Sequence, residues 1–195
     1  MDGIILVNKE KGITSFGVVS KIRKIFNTKK VGHCGTLDPE ATGVLPIMIG
    51  QATKVSKYLV EHDKEYIAVL KLGVKTDSAD SEGNIIKKDN FNLDMNNKKE
   101  YLNKISTLVG KQKQVPPMYS AIKVDGKKLY EYARDGVEIE RAARDIEIYD
   151  IEVEKFNVED NEITFRVKCS KGTYIRTLCE TIAEILGTVR LYERS

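Results

Sequence analysis

The sequence predicts one α+β domain in which a mixed, largely antiparallel sheet is flanked by helices. Residues 145–156 and 162–169 alternate apolar and polar side chains, as strands with one solvent-facing side do. Residues 15–27 and 173–186 instead place apolar side chains at helical spacing. The chain contains no internal repeat and no linker that would separate two parts, so a single domain is expected.

In the first third of the chain, the apolar run at residues 3–7 predicts a short buried strand. Ser15 is the expected N-cap of a helix that extends to residue 27. Between residues 29 and 50, four glycines and two prolines interrupt any regular pattern, which predicts a structured loop where functional groups tend to lie. A second helix is expected over residues 52–62.

In the rest of the chain, residues 65–72 carry apolar side chains on both faces, which predicts a strand inside a covered sheet. A change of apolar parity predicts a bulge near Tyr149–Asp150, and Gly187 is expected to end the last helix. The other expected elements are an exposed excursion at residues 76–97, a helix at 98–109, a strand at 119–124, an Asp-Gly turn at 125–126 and a short helix at 127–134.

The composition excludes several classes of protein. With 195 residues, 41% hydrophobic and 31% charged, the chain is long and apolar enough for a filled core, which excludes wholesale disorder. Its three cysteines are widely spaced and form neither a disulfide framework nor a zinc signature, so a reducing cytoplasm is expected. The chain also lacks a signal-peptide pattern and an apolar run near the ~20 residues that span a bilayer.

Charge is distributed unevenly along the chain. Residues 1–60 contain nine Lys and Arg against four Asp and Glu, a net charge of +5, so the remainder carries −2 of the total of +3. A basic first third suits a surface that contacts phosphate groups. A solvated lysine-rich face explains the same charges equally well.

The residues with chemical potential concentrate between positions 31 and 46. Asp38 precedes a proline within a glycine-rich stretch, and its carboxylate suits a nucleophile, a general base, a metal ligand or only a turn-former. His33 and Cys34 resemble half of a metal site, but no second pair lies elsewhere in the sequence. Phosphate-binding glycine loops and a serine-hydrolase elbow are both absent.

Four blocks of the sequence resemble motifs of the TruB family, whose members isomerise the uridine at position 55 in the T loop of tRNA. The segments GHCGTLDP (residues 32–39) and ATGVLP (residues 41–46) closely resemble its active-site motif. The other blocks, in the family's order, are NKEKGITS at residues 8–15, PMYSAIK with GKKLYEYAR at residues 117–134, and CSKGTYIRT at residues 169–177. The resemblance extends from about residue 3 to residue 187 and implies the pseudouridine synthase fold.

The resemblance implies a role for five residues. Asp38 is the expected catalytic aspartate, which attacks the base, attacks the sugar carbon or removes the 2′ proton; the sequence leaves these routes open. Tyr66 is expected to stack on the flipped base, Tyr174 to line the pocket and Arg176 to pair with Asp38. His33 is expected to support the RNA loop at the space that the flipped base vacates. Stacking on an aromatic ring recovers roughly 1–3 kcal/mol of the cost of extrusion.

The sequence departs from the family pattern in three places. Glu10 replaces a proline, and Cys34 replaces a small residue, usually threonine. After Thr188 the family continues with a closing strand and an RNA-binding PUA-type domain, both of which are expected to be missing here. We therefore expect residues 1–195 to be a catalytic domain truncated at its C-terminal end, with the activity of this short form left open.

The expected partner is the T arm of tRNA, bound by a monomer without a cofactor, a metal or a membrane. The alternative function is a non-catalytic tRNA-binding or tRNA-folding module, which the basic first third would serve equally well. A metal-dependent hydrolase built on His33 and Asp38 is the remote third possibility.

Overall fold

The computed structural model describes residues 1–59, 62–76, 84–188 and 190–193. It contains two compact units, Met1–His62 and Asp63–Arg194, each with its own apolar core. Both units combine helices with sheets, and every strand pairing among the described residues is antiparallel. The predicted α+β class is therefore confirmed.

The first unit is a three-stranded sheet covered by one helix. Its elements are β1 (Gly3–Lys9), α1 (Ser15–Ile25), β2 (Val31–His33), β3 (Gly43–Ile49), a 3-10 helix (Gly50–Val55) and α2 (Ser56–Leu59). The strand order is β1-β3-β2. Val18, Val19 and Ile22 of α1 pack with buried residues of β2 and β3 to form the core.

Three predictions for the first unit are wrong in detail. Strand β1 is not buried on both faces: Leu6 is 71% exposed because α1 covers only the other face of the sheet. The N-cap of α1 is Thr14, whose Oγ1 accepts from the N–H of Gly17 at 2.9 Å, whereas Ser15 turns inward. Strands β2 and β3 reduce the expected loop to residues 34–42.

The second unit is built on a five-stranded sheet with the order β12-β4-β11-β10-β7. Its strands and helices are β4 (Lys64–Leu72), β5 (Val74–Thr76), β6 (Ile85–Lys88), a 3-10 helix (Met95–Asn97), α3 (Lys98–Ser106), β7 (Gly110–Gln114), β8 (Lys123–Val124), β9 (Lys127–Lys128), α4 (Leu129–Arg134), β10 (Arg144–Asn157), β11 (Glu162–Cys169), α5 (Ile175–Leu186) and β12 (Arg190–Glu193). Strands β5 and β6, and likewise β8 and β9, form two-stranded ribbons.

The core of the second unit lies on one side of this sheet. The apolar residues of β11 are fully buried against α3 and α5, as the alternation of β11 predicts. Strand β4, in contrast, leaves Ile67 42% exposed on the other face, so the prediction that β4 is covered on both faces is wrong. Arg166 lies beside Ile67 on that wet face, where it bridges Glu65 and Glu154.

Local predictions in the second unit have mixed outcomes. The register of β10 against β11 skips Tyr149, which confirms the predicted bulge, and Gly187 ends α5 in the left-handed conformation. The sequence did not predict β7, a short polar strand. It also predicted no strand after Thr188, where the structure pairs β12 with β4. Residues 60–61 of the expected second helix and 77–83 of the expected excursion lie outside the described residues.

Candidate functional site

The Asp38 loop, residues 34–42, connects two neighbouring strands of the first unit. The N–H of Cys34 donates to the carbonyl of Pro46 at 2.9 Å, which continues the pairing of β2 with β3 into the loop. Gly35 and Gly43 have φ angles of +77° and +128°, and side-chain-bearing residues rarely adopt such values. Gly35 and Gly43 are therefore required by the path of the backbone.

The residue before Asp38 is held by a serine from α1. The Oγ of Ser15 donates to the carbonyl of Leu37 at 2.9 Å and accepts from the N–H of Leu37 at 3.0 Å. Ser15 is buried, so these two hydrogen bonds are made out of reach of water, where their loss is costly. The side chain of Leu37 packs against the core of the unit.

The residue after Asp38 is held by a buried lysine. Lys9 is only 1% exposed, and its Nζ donates to the carbonyls of Glu10, Ile13 and Pro39 at 2.8, 2.8 and 2.9 Å. The N–H of Gly12 donates to the same Pro39 carbonyl at 3.0 Å. A buried ammonium is tolerated when its donors are satisfied, and here they join two turns of the chain.

Asp38 is half-buried and begins a tight turn, since its carbonyl accepts from the N–H of Ala41 at 3.1 Å. The turn-forming role considered from the sequence is thus real for the backbone of Asp38. An ion pair of 2.9 Å between Lys11 and Glu40 joins the same turn to residues 10–12. The backbone on both sides of the carboxylate is therefore fixed by hydrogen bonds.

His33 lies at the end of β2, half-buried, with its Nδ1 2.5 Å from the carbonyl oxygen of Gly35. A carbonyl oxygen only accepts hydrogen bonds, so Nδ1 carries the proton in this contact. In the neutral form of the ring, Nε2 is then the acceptor nitrogen. The bond also orients the imidazole along the Asp38 loop.

The remaining three predicted site residues belong to the second unit. Tyr66 is a half-buried residue of β4 that pairs with Val167 of β11 and packs against the core. Tyr174 is the N-cap residue of α5, and Arg176 is the second residue of that helix. The side chain of Arg176 is buried, and its Nη2 donates to the carbonyl of Tyr119 at 2.6 Å.

Each unit thus brings two of the four motif blocks together. In the first unit, residues 8–15 contact the Asp38 loop through Lys9, Gly12 and Ser15. In the second unit, residues 117–134 contact residues 169–177 through Tyr119 and Arg176. The expected pairing of Arg176 with Asp38 stays a prediction.

Sequence reasoning missed Lys9, Ser15 and Gln114 as residues that support the site; the side-chain amide of Gln114 hydrogen-bonds to the backbone of Tyr174. A signal for Lys9 was present, because Lys9 shares the inward parity of Ile5 and Val7 in β1. The sequence pattern predicts Ser15 as the N-cap, although Thr14 competes for that position. Gln114 lies in a strand with no apolar pattern, and nothing in its neighbourhood singles it out.

A family model described as TruB family pseudouridylate synthase (N terminal domain) matches residues 23–175. This chain belongs to the TruB family. The chain is 51% identical over 189 residues to tRNA pseudouridine synthase B of Hydrogenovibrio crunogenus, covering 97% of the chain and 61% of that relative. It is 50% identical over 190 residues to the protein of the same name from Bacillus subtilis, with coverages of 96% and 61%. The chain therefore spans about three fifths of the length of these TruB-family relatives.

Two solved structures also match nearly the whole chain. A Cbf5–Nop10–Gar1 complex matches with a TM-score of 0.73 and 30% identity, over 99% of this chain and 48% of that one. An H/ACA RNP bound to a substrate RNA containing 2′-deoxyuridine matches with a TM-score of 0.69 and 27% identity, over 99% and 46%. The pseudouridine synthase fold expected from the TruB motifs is confirmed.

Metal sites, disulfides and membrane-spanning helices are not found among the described residues of this TruB-family chain. Within the described residues, no group of three or more His, Cys, Asp or Glu side chains is placed to hold a metal ion. All three cysteines are buried and none is in a disulfide, and burial raises the pKa of the Cys169 thiol to about 11. No described helix is long and apolar enough to cross a membrane.

Proposed function

We propose that this chain carries out the isomerisation of uridine to pseudouridine in the T loop of tRNA. The observation that supports the proposal best is Asp38, the aspartate of the TruB motif, on a loop whose backbone is hydrogen-bonded on both sides of the carboxylate. A carboxylate on such a fixed backbone costs little backbone reorganisation when it meets a reacting group. The relatives that share about half of its residues are tRNA pseudouridine synthases by name.

The reaction explains why a single carboxylate suffices. The bond between C1′ of the ribose and N1 of the base breaks, the base turns, and C1′ bonds to C5 instead. C5 then releases its proton and N1 gains one, so the rearrangement has no net redox change. We assign Asp38 the removal of the 2′ proton, which would allow the base to leave as its anion with a C1′=C2′ double bond, a glycal-like intermediate. Asp38 would return this proton to C2′ as C1′ bonds to C5. Attack on the base or on C1′ are the competing routes.

The target base must leave its stack before the carboxylate reaches the sugar, at a cost of roughly a few kcal/mol. We assign Tyr66 the stacking partner of the extruded base and Tyr174 and Arg176 further contacts with the nucleotide. His33, through its acceptor Nε2, would contact the RNA loop that the base has left. The excess of basic residues in the first 60 positions suits the phosphates of a T arm.

The proposal extends to the setting of the reaction. The partner is tRNA, the place is the cytoplasm, and the active form is a monomer that uses no cofactor. The relatives' names identify tRNA as their substrate class and give no support to the alternative of a non-catalytic tRNA-binding or tRNA-folding module.

The decisive experiment measures tritium release from T-loop RNA that contains 5-tritiated uridine, because C5 loses its hydrogen only if the new bond forms. We expect release by the parent chain and a loss of at least about a thousandfold in Asp38→Asn. The matched control is Asp145→Asn, which removes an exposed carboxylate that pairs with a surface lysine in β7. Tight binding of the RNA without release by the parent chain would refute the enzymatic proposal and favour the binding module.

A further inference from the structure

Gln114 is a buried amide at the edge of the five-stranded sheet. It is the last residue of β7, is 7% exposed and is followed after one residue by two prolines, which lack the N–H needed to continue a strand. Its side chain does not face water, so its amide needs partners within the protein. The role proposed above for the site does not use this residue.

The amide of Gln114 pairs with the backbone of Tyr174, sixty residues away in the sequence. Its Oε1 accepts from the N–H of Tyr174 at 2.8 Å, and its Nε2 donates to the carbonyl of Tyr174 at 3.1 Å. The same carbonyl accepts from the N–H of Leu178 at 3.0 Å, the first hydrogen bond of α5. The side-chain amide thus pairs with one residue as a neighbouring strand would.

This pairing supplies one half of a capping box, the acceptor for the N–H of the N-cap residue. Tyr174 is the N-cap residue of α5, but it makes no side-chain capping bond, since its phenol is too long to return to the following N–H groups. In a capping box, the N–H of the N-cap residue is satisfied by a side chain three residues later. Here Gln114 satisfies it from a strand, and so ties the direction of α5 to the edge of the sheet.

The segment after Gln114 contacts α5 a second time. The carbonyl of Tyr119 accepts from Nη2 of Arg176, the buried guanidinium two residues after Tyr174. Residues 114–119 therefore hold the beginning of α5 at two points. The side chain of Gln114 binds the backbone of Tyr174, and the backbone of Tyr119 binds the side chain of Arg176. Tyr174 and Arg176, which we assign to substrate binding, are both held in this way.

We infer that Gln114 is a positioning residue, which sets the conformation of Tyr174 and thereby orients Tyr174 and Arg176 toward the substrate. This inference rests on the proposed function and deepens it. It predicts that Gln114 affects the chemical step rather than the affinity for RNA, because phosphate contacts supply most of the affinity of such proteins for nucleic acid.

The test compares Gln114→Met with Gln112→Met. Methionine keeps the length of glutamine and removes its hydrogen bonds, and Gln112 lies on the same strand, with the same parity and an amide that donates to Leu108 instead. We expect Gln114→Met to lower kcat for tritium release about tenfold to a hundredfold, with the Kd for T-loop RNA changed less than about twofold. Gln112→Met should leave both within about twofold.

A second readout follows the hydrogen bonds themselves. In Gln114→Met, the amide proton of Tyr174 should exchange with solvent at least about tenfold faster than in the parent, as measured by NMR, and Gln112→Met should not change it. Gln114→Glu keeps the acceptor for the Tyr174 N–H and loses the donor. The exchange rate of the Tyr174 amide in this variant should therefore lie between the rates in the parent and in Gln114→Met.

These measurements separate the inference from the proposed function. If the parent chain releases no tritium, the proposed function fails, and faster exchange at Tyr174 in Gln114→Met alone still supports the positioning of Tyr174. Unchanged exchange at Tyr174 overturns the inference whether or not the parent is active. Equal kcat values for Gln114→Met and Gln112→Met in an active parent also overturn it.

Discussion

The hydroxyl of Ser15 both donates to and accepts from the backbone of Leu37, so that one side chain occupies both polar groups of the residue that precedes Asp38. These two hydrogen bonds fix the position of the Asp38 loop relative to the first turn of α1. They also mean that a residue with no chemical role in the proposed reaction sets the place of the reacting carboxylate.

Replacing Ser15 with alanine should destabilise the chain and loosen the loop. The change leaves the N–H and the carbonyl of Leu37 without their partner in a buried place, which costs roughly 1–3 kcal/mol of unfolding free energy. Urea denaturation measures this loss. Ser20→Ala, which removes an exposed hydroxyl from the same helix, should change the unfolding free energy by less than about 0.5 kcal/mol. Equal effects of the two variants would contradict the role given to Ser15.

Gly35→Ala tests whether the loop depends on a glycine conformation. Apart from Gly35 and its two chain neighbours, no atom of the described residues lies within 4 Å of the added Cβ, so the cost comes from the φ of +77°, about 1–2 kcal/mol for a side-chain-bearing residue. Gly3→Ala is the matched control, because Gly3 also has open space and no positive φ. Thermal or urea unfolding of both variants measures the difference. A Gly35→Ala variant as stable as Gly3→Ala would show that the loop tolerates other backbone conformations.

Deuterium at the 2′ position of the target uridine tests the route assigned to Asp38. If Asp38 removes the 2′ proton, the rate of the chemical step should show a primary isotope effect clearly above unity. Single-turnover conditions are needed, since slow product release would otherwise hide the effect. An isotope effect near unity under these conditions would exclude proton removal as the slow step and favour attack on the base or on C1′.

The buried thiol of Cys169 should make the free energy of unfolding fall as the pH rises through the alkaline range. Burial favours the neutral thiol and raises its pKa from 9.0 to about 11. The unfolded chain loses this proton at a lower pH than the folded chain does, so the stabilisation is complete below about pH 9 and is lost as the pH rises toward 11. Urea unfolding at about pH 8 and about pH 10.5 measures the decline. Cys169→Ala should show a smaller decline than the parent, and an identical decline would contradict the assignment to this thiol.

Much of the second unit could be predicted because its strands follow simple periodicity. The alternation of β11 gave its buried face, and the parity change gave the bulge at Tyr149. The alternation does not show whether one or both faces of a sheet are covered by other elements. Ile67 and Leu6 are apolar but exposed, because each sheet is covered on one face only, and a sequence pattern does not state what packs against it.

The sequence predicts the chemical groups of the candidate site, but it does not predict the residues that hold those groups in place. Asp38 and Arg176 stand out because their motifs are distinctive, whereas Gln114 acts through a hydrogen bond to a residue sixty positions away. Contacts of that kind depend on the sheet edge at which β7 ends, and β7 itself has no apolar pattern to reveal it. The division into two units was equally hidden, since no linker marks residue 62.

The enclosure of the Lys9 ammonium has a consequence for reagents that modify amines. In the folded chain its nitrogen is shielded from solvent and already shared among three oxygen atoms, so acylating agents and acetyltransferases have no access to it. Acylation of this amine is therefore confined to the chain before folding or during transient opening. An acyl group there would remove the positive charge that joins the two turns around Asp38, so a chain modified during synthesis would fold with a loosened Asp38 loop.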